Sequence, residues 1–336
     1  MDEAAERGAD AIVEGTLRWS FLAPDDLEEL AALREAIDYF EDPVDHRDQD
    51  AIVSDYQRDI ALDGYLATVG RDRGGSIVAY AWIHPSVSPG LNGHLWLDMG
   101  VHPAARHRAI GRRLITWCIT RAEEWQARRD PDAPPLWLGY LVDEKFGGLR
   151  AALAEQGFTP QRWLFDAHRA FDDEPLPLAP DVAGVRLERY RADLSEPVRL
   201  AHNSVFGVLP GAQPYTRPEW EWALGETHLH PEWSWVAREE GGLVVGYALN
   251  TVYPDDDGNT ASEGWTALFG VRRPWRRQGI GTALIGASMG SFHAAGLDGA
   301  GLGIDTENPR AAERLMEHFG FAADDRVVLY ARGATS

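Results

Sequence analysis

The feature of this sequence that most limits its architecture is an internal duplication. Residues 100–114 (GVHPAARHRAIGRRL) align without gaps on residues 270–284 (GVRRPWRRQGIGTAL), and six of the fifteen positions are identical. A segment that recurs in this way indicates two copies of one structural unit. The chain has 336 residues, which suits two domains of about 150 to 170 residues each.

The same order of predicted elements surrounds both copies of this segment. Each copy follows an apolar stretch that is typical of a strand, at 95–101 and 265–271, and each precedes a helical pattern. In the first copy the apolar positions of that helix recur every three or four residues: Ile110, Leu114, Cys118, Ala122 and Trp125. Further along, each copy has a strand and then a helix that ends in Gly-Phe, at 157–158 and 320–321. Strands that alternate with helices in two successive copies predict an α/β fold with two consecutive domains.

A linker is predicted between the two copies. The first copy closes with a predicted strand at 163–171, and residues 172–181 (DDEPLPLAPD) then combine three prolines with acidic side chains. Because proline can continue neither a helix nor a strand ladder, this stretch is predicted to be extended. We therefore place the domain boundary near residue 178, with a first domain of residues 1–178 and a second domain of residues 179–336.

The overall charge and composition argue against several classes of function. The formal net charge is −21, so the surface repels phosphate backbones and nucleic acid is not an expected partner. No apolar run approaches the roughly 18 residues that cross a membrane, and the acidic N-terminus lacks the pattern of a signal peptide. The expectation is a soluble cytoplasmic protein with no membrane partner. The single cysteine, Cys118, excludes an internal disulfide and a cysteine-rich zinc site, and no metal site is predicted.

The second copy of the loop has the composition of a phosphate-binding site. It lies between a predicted strand and a predicted helix, where unpaired backbone N–H groups and the helix dipole favour an anion. Gly279 and Gly281 leave the backbone accessible, and Thr282 offers a hydroxyl. Arg276 and Arg277 supply positive charge. The sequence has neither the Gly-Lys-Ser/Thr of a Walker loop nor the three spaced glycines of a dinucleotide fingerprint. The alternative interpretation is that the glycines only allow a tight entry into the helix.

This loop and its surroundings resemble the cofactor motif of the GNAT acyltransferase superfamily. That motif is Gln or Arg, two further residues, Gly, one residue, and then Gly or Ala. In this chain residues 276–281 read RRQGIG, and they follow the strand end LFGV at 268–271. Residues 304–321 are similar to the asparagine-then-helix region of the family. The resemblance is strong in the second half of the chain and moderate in the first.

The resemblance implies a fold, a co-substrate and a set of contact residues. Each domain would be a mixed, mostly antiparallel sheet flanked by helices, and the co-substrate would be acetyl-CoA. The loop amides would hold the coenzyme A diphosphate, and the strand edge would pair with the pantetheine arm. The expected cofactor-binding residues are Phe269, Gly270, Val271, Arg276, Arg277, Gln278, Gly279, Ile280, Gly281, Thr282 and Asn308. For Asn308 an equally good interpretation is an N-cap of the helix that begins at Pro309.

The first copy departs from the motif at two positions. Ala109 stands where the family has its first glycine, and Arg112 stands opposite Thr282. A methyl group at Ala109 would crowd the approach to the backbone that makes the loop useful. The first domain is therefore expected to be a degenerate domain with a structural or substrate-shaping role. This layout is similar to that of two-domain family members such as the mycothiol synthases, in which the second domain performs the chemistry.

The sequence offers few candidates for the proton transfers. Acyl transfer to an amine needs the amine deprotonated and the leaving thiolate protonated. Family members often place a glutamate on the strand before the loop, where this chain has Trp265. Glu263, two residues earlier on the same strand face, is predicted to be the catalytic base through a bridging water; the alternative is a solvated strand-end carboxylate. The tyrosine that usually protonates the thiolate is replaced by Met316, which leaves Tyr215, His318 or solvent for that task.

The expected activity is direct transfer of an acetyl group from acetyl-CoA to an amine of a small molecule or peptide. One alternative is a non-catalytic acyl-CoA-binding sensor or scaffold, which the missing tyrosine favours. Another is an enzyme of the mycothiol synthase kind, against which Trp265 counts. The sequence does not determine the acceptor or the oligomeric state, and it is compatible with a homodimer.

Overall fold

The computed structural model describes residues 17–41, 49–63, 66–86, 94–108, 110–129, 136–171, 175–207, 209, 212–252, 263–324 and 326–333. The chain divides into two compact units: unit 1 comprises Met1–Gln161 and Val327–Ser336, and unit 2 comprises Arg162–Arg326. None of the helices in these ranges combines the length and the apolar character that crossing a membrane requires.

Unit 1 is a mixed sheet flanked by helices. Its strands are β1 (Arg18–Phe21), β2 (Ala67–Arg71), β3 (Ile77–Pro85), β4 (His94–Val101), β5 (Trp137–Asp143) and β13 (Val327–Arg332), in the spatial order β1-β2-β3-β4-β5-β13. Its helices are α1 (Leu27–Glu41), α2 (Gln49–Asp63), α3 (Ile110–Arg129) and α4 (Gly147–Glu155). Neighbouring strands are antiparallel except β4 and β5, which run parallel.

The core of unit 1 forms where amphipathic helices cover the sheet. On α1, Leu30, Leu33 and Ile37 recur at helical spacing and form one buried cluster with Val69 and Trp82 of the sheet. On α3, the five apolar positions at the predicted helical spacing are all buried. The predicted helix is therefore confirmed, and its cysteine is a core residue.

Unit 2 repeats this plan. Its strands are β6 (Thr159–Ala170, of which residues 162–170 belong to the unit), β7 (Val185–Arg189), β8 (Trp235–Glu239), β9 (Val244–Val252), β10 (Glu263–Val271), β11 (Gly299–Thr306) and β12 (Ala322–Ala323). Its helices are α5 (Ser195–Val205), α6 (Arg217–Glu226), α7 (Ile280–Ala294) and α8 (Pro309–Phe319). The spatial order is β6-β11-β10-β9-β8-β7, and the short β12 pairs with β6. Only β10 and β11 run parallel among these described pairs.

The strand β9 of the unit 2 sheet is buried on both faces. Tyr247 and Leu249 of β9 lie in the cluster formed with α5 and α6, whereas Ala248 between them lies in the cluster formed with α7. This alternation is the period of two that a strand imposes on its side chains. The Gly-Phe helix ends are also confirmed, because Gly157 (φ 82°) and Gly320 (φ 69°) both have the left-handed backbone of a C-terminal cap.

The division into units differs from the predicted boundary near residue 178. β6 pairs with β11 over eight positions, from Gly299↔Ala170 to Thr306↔Trp163, so most of this strand belongs to unit 2. β13 pairs with β5 from Val327↔Asp143 to Arg332↔Leu138, so the end of the chain belongs to unit 1. Each repeat therefore ends in a strand that completes the sheet built by the other repeat. Residues 172–174 of the predicted linker lie outside the described residues, and residues 175–184 have no helix or strand.

Candidate active site

The strand that precedes the second loop separates from its neighbour towards its C-terminal end. β10 pairs in parallel with β11 from Glu263 to Thr266, while its other edge stays antiparallel to β9. The register with β9 shifts between Thr266 and Leu268, so Ala267 forms a β-bulge. Beyond the bulge β10 has no strand partner on its β11 side among the described residues. Backbone N–H and C=O groups of residues 269–271 therefore border an open cleft.

The bulge also changes which side chains share a face of the sheet. Before the bulge, Gly264 lies against Phe292 of α7, so the neighbouring Trp265 points to the opposite face. After the bulge, Phe269 packs with α7 and Leu268 joins the cluster under α5 and α6. Trp265 and Leu268 therefore face the same side, although three residues separate them.

Gly270, one of the predicted cofactor contacts, has a packing reason for being glycine. A β-carbon at this position would lie 2.8 Å from the hydroxyl oxygen of Tyr247, which is its partner on β9. That hydroxyl forms a 2.8 Å hydrogen bond with Nδ1 of His202. Burial lowers the pKa of His202 to about 4, so the imidazole is neutral at physiological pH. The glycine thus allows a buried tyrosine–histidine pair to support the strand under the cleft.

The loop before α7 presents a row of free amides. A 3-10 turn at Arg273–Trp275 comes first, Arg277 then has a left-handed backbone (φ 62°), and Gly279 has another (φ 85°) directly before the helix begins at Ile280. In the described part of the chain, the N–H groups of residues 277–282 have no hydrogen-bond acceptor, and no side chain caps the helix. Such a row at a helix N-terminus is suited to an anion.

The side chains of this loop add positive charge, and neither Arg276 nor Arg277 forms an ion pair with a carboxylate of the described residues. Nε of Arg276 donates to the Val271 carbonyl at 3.0 Å, and Arg277 has no partner among the described residues. Partial burial, together with the neighbouring Arg273, holds the pKa of Arg276 below its usual value, although Glu307 opposes this effect. Gln278 donates to the Pro274 carbonyl at 3.2 Å. The exposed surface of the loop therefore favours anionic groups.

The other predicted contact residues differ in what they offer. The Ile280 side chain is buried, so only its backbone N–H is available, and Gly281 lies beside the Phe269 ring. Thr282 is half-buried at the first turn of α7. Asn308 is the N-cap of α8, where its Oδ1 accepts from Ala311 N–H at 3.3 Å. Its side-chain nitrogen, Nδ2, has no partner among the described residues.

The loop of unit 1 has the same framework, but two of its arginines form ion pairs with carboxylates. Nε of Arg106 donates to the Val101 carbonyl at 3.1 Å, just as Arg276 does five residues after Val271. Arg106 also forms an ion pair with Glu41 at 2.6 Å, and Arg112 pairs with Glu155 at 3.0 Å. Ala109, the predicted departure from the motif, lies outside the described residues.

The strand edge at the cleft of unit 1 also has fewer free hydrogen-bonding groups. β4 and β5 pair only from His94 to Trp96 and then diverge, as β10 and β11 do. In unit 1, however, the Tyr140 hydroxyl donates to the Met99 carbonyl at 3.1 Å and occupies the edge of β4. The register of β3 with β4 is continuous, so unit 1 has no counterpart of the Ala267 bulge among these described strands.

Glu263, the predicted catalytic base, is engaged with a histidine. Nδ1 of His168 lies 3.0 Å from one oxygen of Glu263, and Nε2 of the same ring lies 3.1 Å from Asp324. The three side chains are partly exposed, at 32% for Glu263, 41% for His168 and 62% for Asp324. Trp265 stands beside them, with its ring centroid 5.3 Å from that of His168. Glu263 is therefore one end of a carboxylate–imidazole–carboxylate chain.

Met316, which replaces the usual tyrosine, and the two side chains predicted to supply the thiolate proton instead lie in different surroundings. Met316 is 5% exposed and packs with Phe165 and Ala167, so it is a core residue. His318 is exposed on α8. Tyr215 packs against the cluster that Leu268 also contacts, with its ring 5.3 Å from that of His202. Of the two predicted proton donors, His318 and Tyr215, only Tyr215 shares a described cluster with a residue of β10.

Two polar residues lie on the same face of the sheet as Glu263 and Trp265 and were not predicted from the sequence. Asp166 and His168 lie on β6, opposite Gly303 and Gly301 of β11. They belong to the first repeat, and the linker separates them from the second loop, so no spacing rule connects them to it. The available signal was alternation along β6, where Phe165 and Ala167 are buried and the residues between them are polar.

Comparison with known proteins identifies both repeats. Residues 231–323 match the acetyltransferase (GNAT) domain, and residues 29–131 match the acetyltransferase (GNAT) family. The mycothiol acetyltransferase of Thermobispora bispora is 28% identical over 264 residues, which cover 77% of this chain and 81% of that protein. The mycothiol acetyltransferase of Saccharopolyspora erythraea is 27% identical, with 79% and 84% covered.

A solved structure agrees with the fold. A GCN5-related N-acetyltransferase from Sphaerobacter thermophilus is 23% identical and superposes with a TM-score of 0.62, over 96% of this chain and 99% of that chain. Enzymes of this family use acetyl-CoA, and the chain is an N-acetyltransferase. With matches in both repeats and the mixed, mostly antiparallel sheet expected of each, the chain belongs to the GNAT acetyltransferase family and carries two of its domains.

Proposed function

We propose that unit 2 is the catalytic domain, and that it binds acetyl-CoA and transfers the acetyl group directly to an amine of a small molecule or peptide. The observation that carries this proposal is the combination of free amides at residues 277–282 with the unneutralised guanidinium groups of Arg276 and Arg277. A diphosphate needs several N–H donors and positive charge together. Unit 1 has the loop but pairs Arg106 and Arg112 with carboxylates.

The proposed cofactor position follows the cleft. The diphosphate would accept hydrogen bonds from the amides of residues 277–282, with Thr282 adding its hydroxyl. The pantetheine arm would pair with the free edge of β10 at residues 269–271, which places its sulfur end towards the Ala267 bulge. Asn308 would contribute its amide nitrogen, since its Oδ1 already caps α8. Ile280 and Gly281 would contribute through their backbone.

The chemistry requires two proton movements. The acceptor nitrogen must be neutral before it attacks the thioester carbonyl, and the departing sulfur must gain a proton. With Met316 buried in the core, the sulfur would take its proton from the attacking nitrogen or from water. Glu263 lies opposite Gly299 of β11, whereas the cleft opens at Gly303, the first residue of β11 that no longer pairs with β10. The four residues from Gly299 to Gly303 correspond to about 13 Å along the strand. We therefore assign Glu263 the role of holding His168.

Two alternatives have specific support. The first alternative is an acceptor related to mycothiol, which the relatives named mycothiol acetyltransferase favour. An acetylation assay that includes a mycothiol precursor with a free amine tests this alternative. Burial of Met316 favours a non-catalytic acyl-CoA sensor. Release of free thiol from acetyl-CoA on addition of an amine distinguishes an enzyme from a sensor. Light scattering distinguishes a monomer from the homodimer that the sequence permits.

The cofactor assignment is tested by calorimetric titration of acetyl-CoA into matched charge variants. Arg277→Glu is expected to weaken binding by roughly tenfold or more, because it replaces a phosphate contact with repulsion. Arg112→Glu at the corresponding loop of unit 1 is the control and is expected to leave the affinity unchanged. Both side chains are exposed, so neither change disturbs a core. An unchanged affinity in Arg277→Glu, or loss of binding in Arg112→Glu, would contradict the assignment.

A further inference from the structure

One face of the unit 2 sheet carries polar side chains that the cofactor site does not use. Asp166 and His168 lie on β6, Glu263 and Trp265 lie on β10, and β11 between them has only glycine on this face until Asp305. The register pairs Gly299 with Glu263, Gly301 with both Trp265 and His168, and Gly303 with Asp166. Because glycine has no side chain, β11 leaves a shallow floor between the two polar strands.

Trp265 and Asp166 border the open end of this floor. A β-carbon on Gly301 would lie 1.9 Å from Cε3 of Trp265, so the indole lies directly over that glycine. A β-carbon on Gly303 would lie 3.5 Å from Oδ1 of Asp166 and 3.9 Å from Cζ2 of Trp265. The space above Gly303 is thus bounded by a carboxylate oxygen on one side and an aromatic ring on the other.

This space lies at the point where the two central strands part. Leu302 is the last residue of β11 that pairs with β10, and Gly303 is the next residue. The sulfur end of a pantetheine arm that follows the free edge of β10 would approach this point. The inference drawn below therefore rests on the proposed function of unit 2.

Asp166 is the carboxylate of this face that remains free. Glu263 and Asp324 both lie against His168, and Asp305 forms an ion pair with Arg162. The Asp166 side chain has no hydrogen-bond or ion-pair partner among the described residues. Partial burial raises the pKa of Asp166, an effect that His168 opposes and Asp324 reinforces. A half-buried carboxylate without a partner is suited to a cation that arrives from solution.

The corresponding positions of unit 1 are apolar. Trp96 pairs with Gly139 there, as Trp265 pairs with Gly301 in unit 2. Two residues further along, Leu141 takes the place of Gly303, and its partner on β13 is Leu329. The floor and the free carboxylate are therefore specific to the unit whose loop can hold a diphosphate.

We propose that Asp166 and Trp265 form the acceptor site, and that Asp166 binds a primary ammonium group above Gly303 and accepts its proton. The neutral nitrogen then attacks the thioester carbonyl and forms the C–N bond. The C–S bond breaks, the sulfur leaves as a thiolate and takes the second proton that the nitrogen loses, and Asp166 returns its proton to water. The partly buried indole of Trp265, which covers Gly301, supports the carbon skeleton beside the amine, so the acceptor is a primary amine with an apolar or aromatic portion.

The test uses the full chain and a panel of primary amines: tyramine, spermidine, L-lysine and glucosamine. Asp166→Asn keeps the shape of the side chain and removes its charge and basicity, and it is expected to lower kcat/KM for the best amine about 100-fold. Gly303→Ala adds one methyl group at ordinary contact distance and is expected to raise the KM for the amine about tenfold. Both variants should keep the acetyl-CoA affinity of the wild type.

Matched controls separate this inference from general damage. Glu240→Gln removes an exposed carboxylate in the turn between β8 and β9, and Gly290→Ala adds a methyl group on α7 where the described residues leave open space. Both controls are expected to match the wild type. If Asp166→Asn and Gly303→Ala also match it, the acceptor site is wrong while the proposed function stands. If the wild type acetylates no amine of the panel, both proposals fail.

Discussion

At the position where β10 carries Leu268, β4 of unit 1 carries a partly buried acid, Asp98. The Asp98 carboxylate accepts a hydrogen bond from the Tyr80 hydroxyl at 2.8 Å and forms an ion pair with Arg34, and His84 lies 3.8 Å away. Burial alone would raise the pKa of Asp98, but the attraction of Arg34 and His84 outweighs it and holds that pKa well below its usual value. Unit 1 therefore has a polar network at a position that in unit 2 packs in the apolar cluster under α5 and α6.

Substitution of Asp98 is expected to destabilise the protein, because Asp98→Asn leaves the Arg34 charge buried without its partner. We expect the free energy of unfolding to fall by about 3 kcal/mol in urea titrations at neutral pH. In the wild type this contribution is present above the unfolded-state pKa of about 3.9 and is lost as the pH falls towards the lower folded-state pKa. Glu155→Gln breaks an exposed pair and should change stability by less than about 0.5 kcal/mol. Equal effects of the two variants would contradict this account.

The loop and helix that we propose to hold the diphosphate depend on a backbone conformation at the start of α7. Gly279 has φ 85°, and a β-carbon there would meet only Val182 among the described residues, at 3.8 Å, so conformation rather than space requires glycine. Gly279→Ala is therefore expected to lower the free energy of unfolding by about 1 kcal/mol and to weaken acetyl-CoA binding in calorimetry. Gly290→Ala within the same helix should stabilise the protein by up to about 1 kcal/mol. A stable Gly279→Ala variant with wild-type affinity would show that the left-handed turn is unimportant.

Elements with a local signal were predicted from the sequence, and elements defined by a distant partner were not. The α3 stripe and the glycine caps depend on spacing within one segment, so they were predicted correctly. The Ala267 bulge has no residue signature, because the extra residue is defined only by its register with β9. Glu263 contacts His168, which lies 95 residues earlier. Proximity in the chain could not indicate that contact.

At the scale of the whole molecule, the same limit explains the domain boundary. The proline-rich linker marks where the two repeats join, and the repeats are real. A strand, however, belongs to the sheet that supplies the hydrogen-bond partners of its backbone, and β6 forms its backbone hydrogen bonds with β11. The duplication therefore makes each unit depend on a strand of the other repeat. In unit 2 that strand also carries Asp166, so the proposed acceptor site requires both halves of the chain.

This dependence predicts that two fragments of similar length behave differently. Residues 162–326 retain the β6 partner of β11 and the packing of Phe165 and Ala167 against Met316, so this fragment is expected to unfold cooperatively in urea. Residues 179–336 follow the boundary predicted from the linker but lack β6. They leave one edge of β11 unpaired and uncover part of the α8 core, so no cooperative transition is expected. Far-ultraviolet circular dichroism against urea measures both fragments. A cooperative transition in residues 179–336 and none in residues 162–326 would support the boundary near 178, because only a sheet that is complete without β6 could give that result.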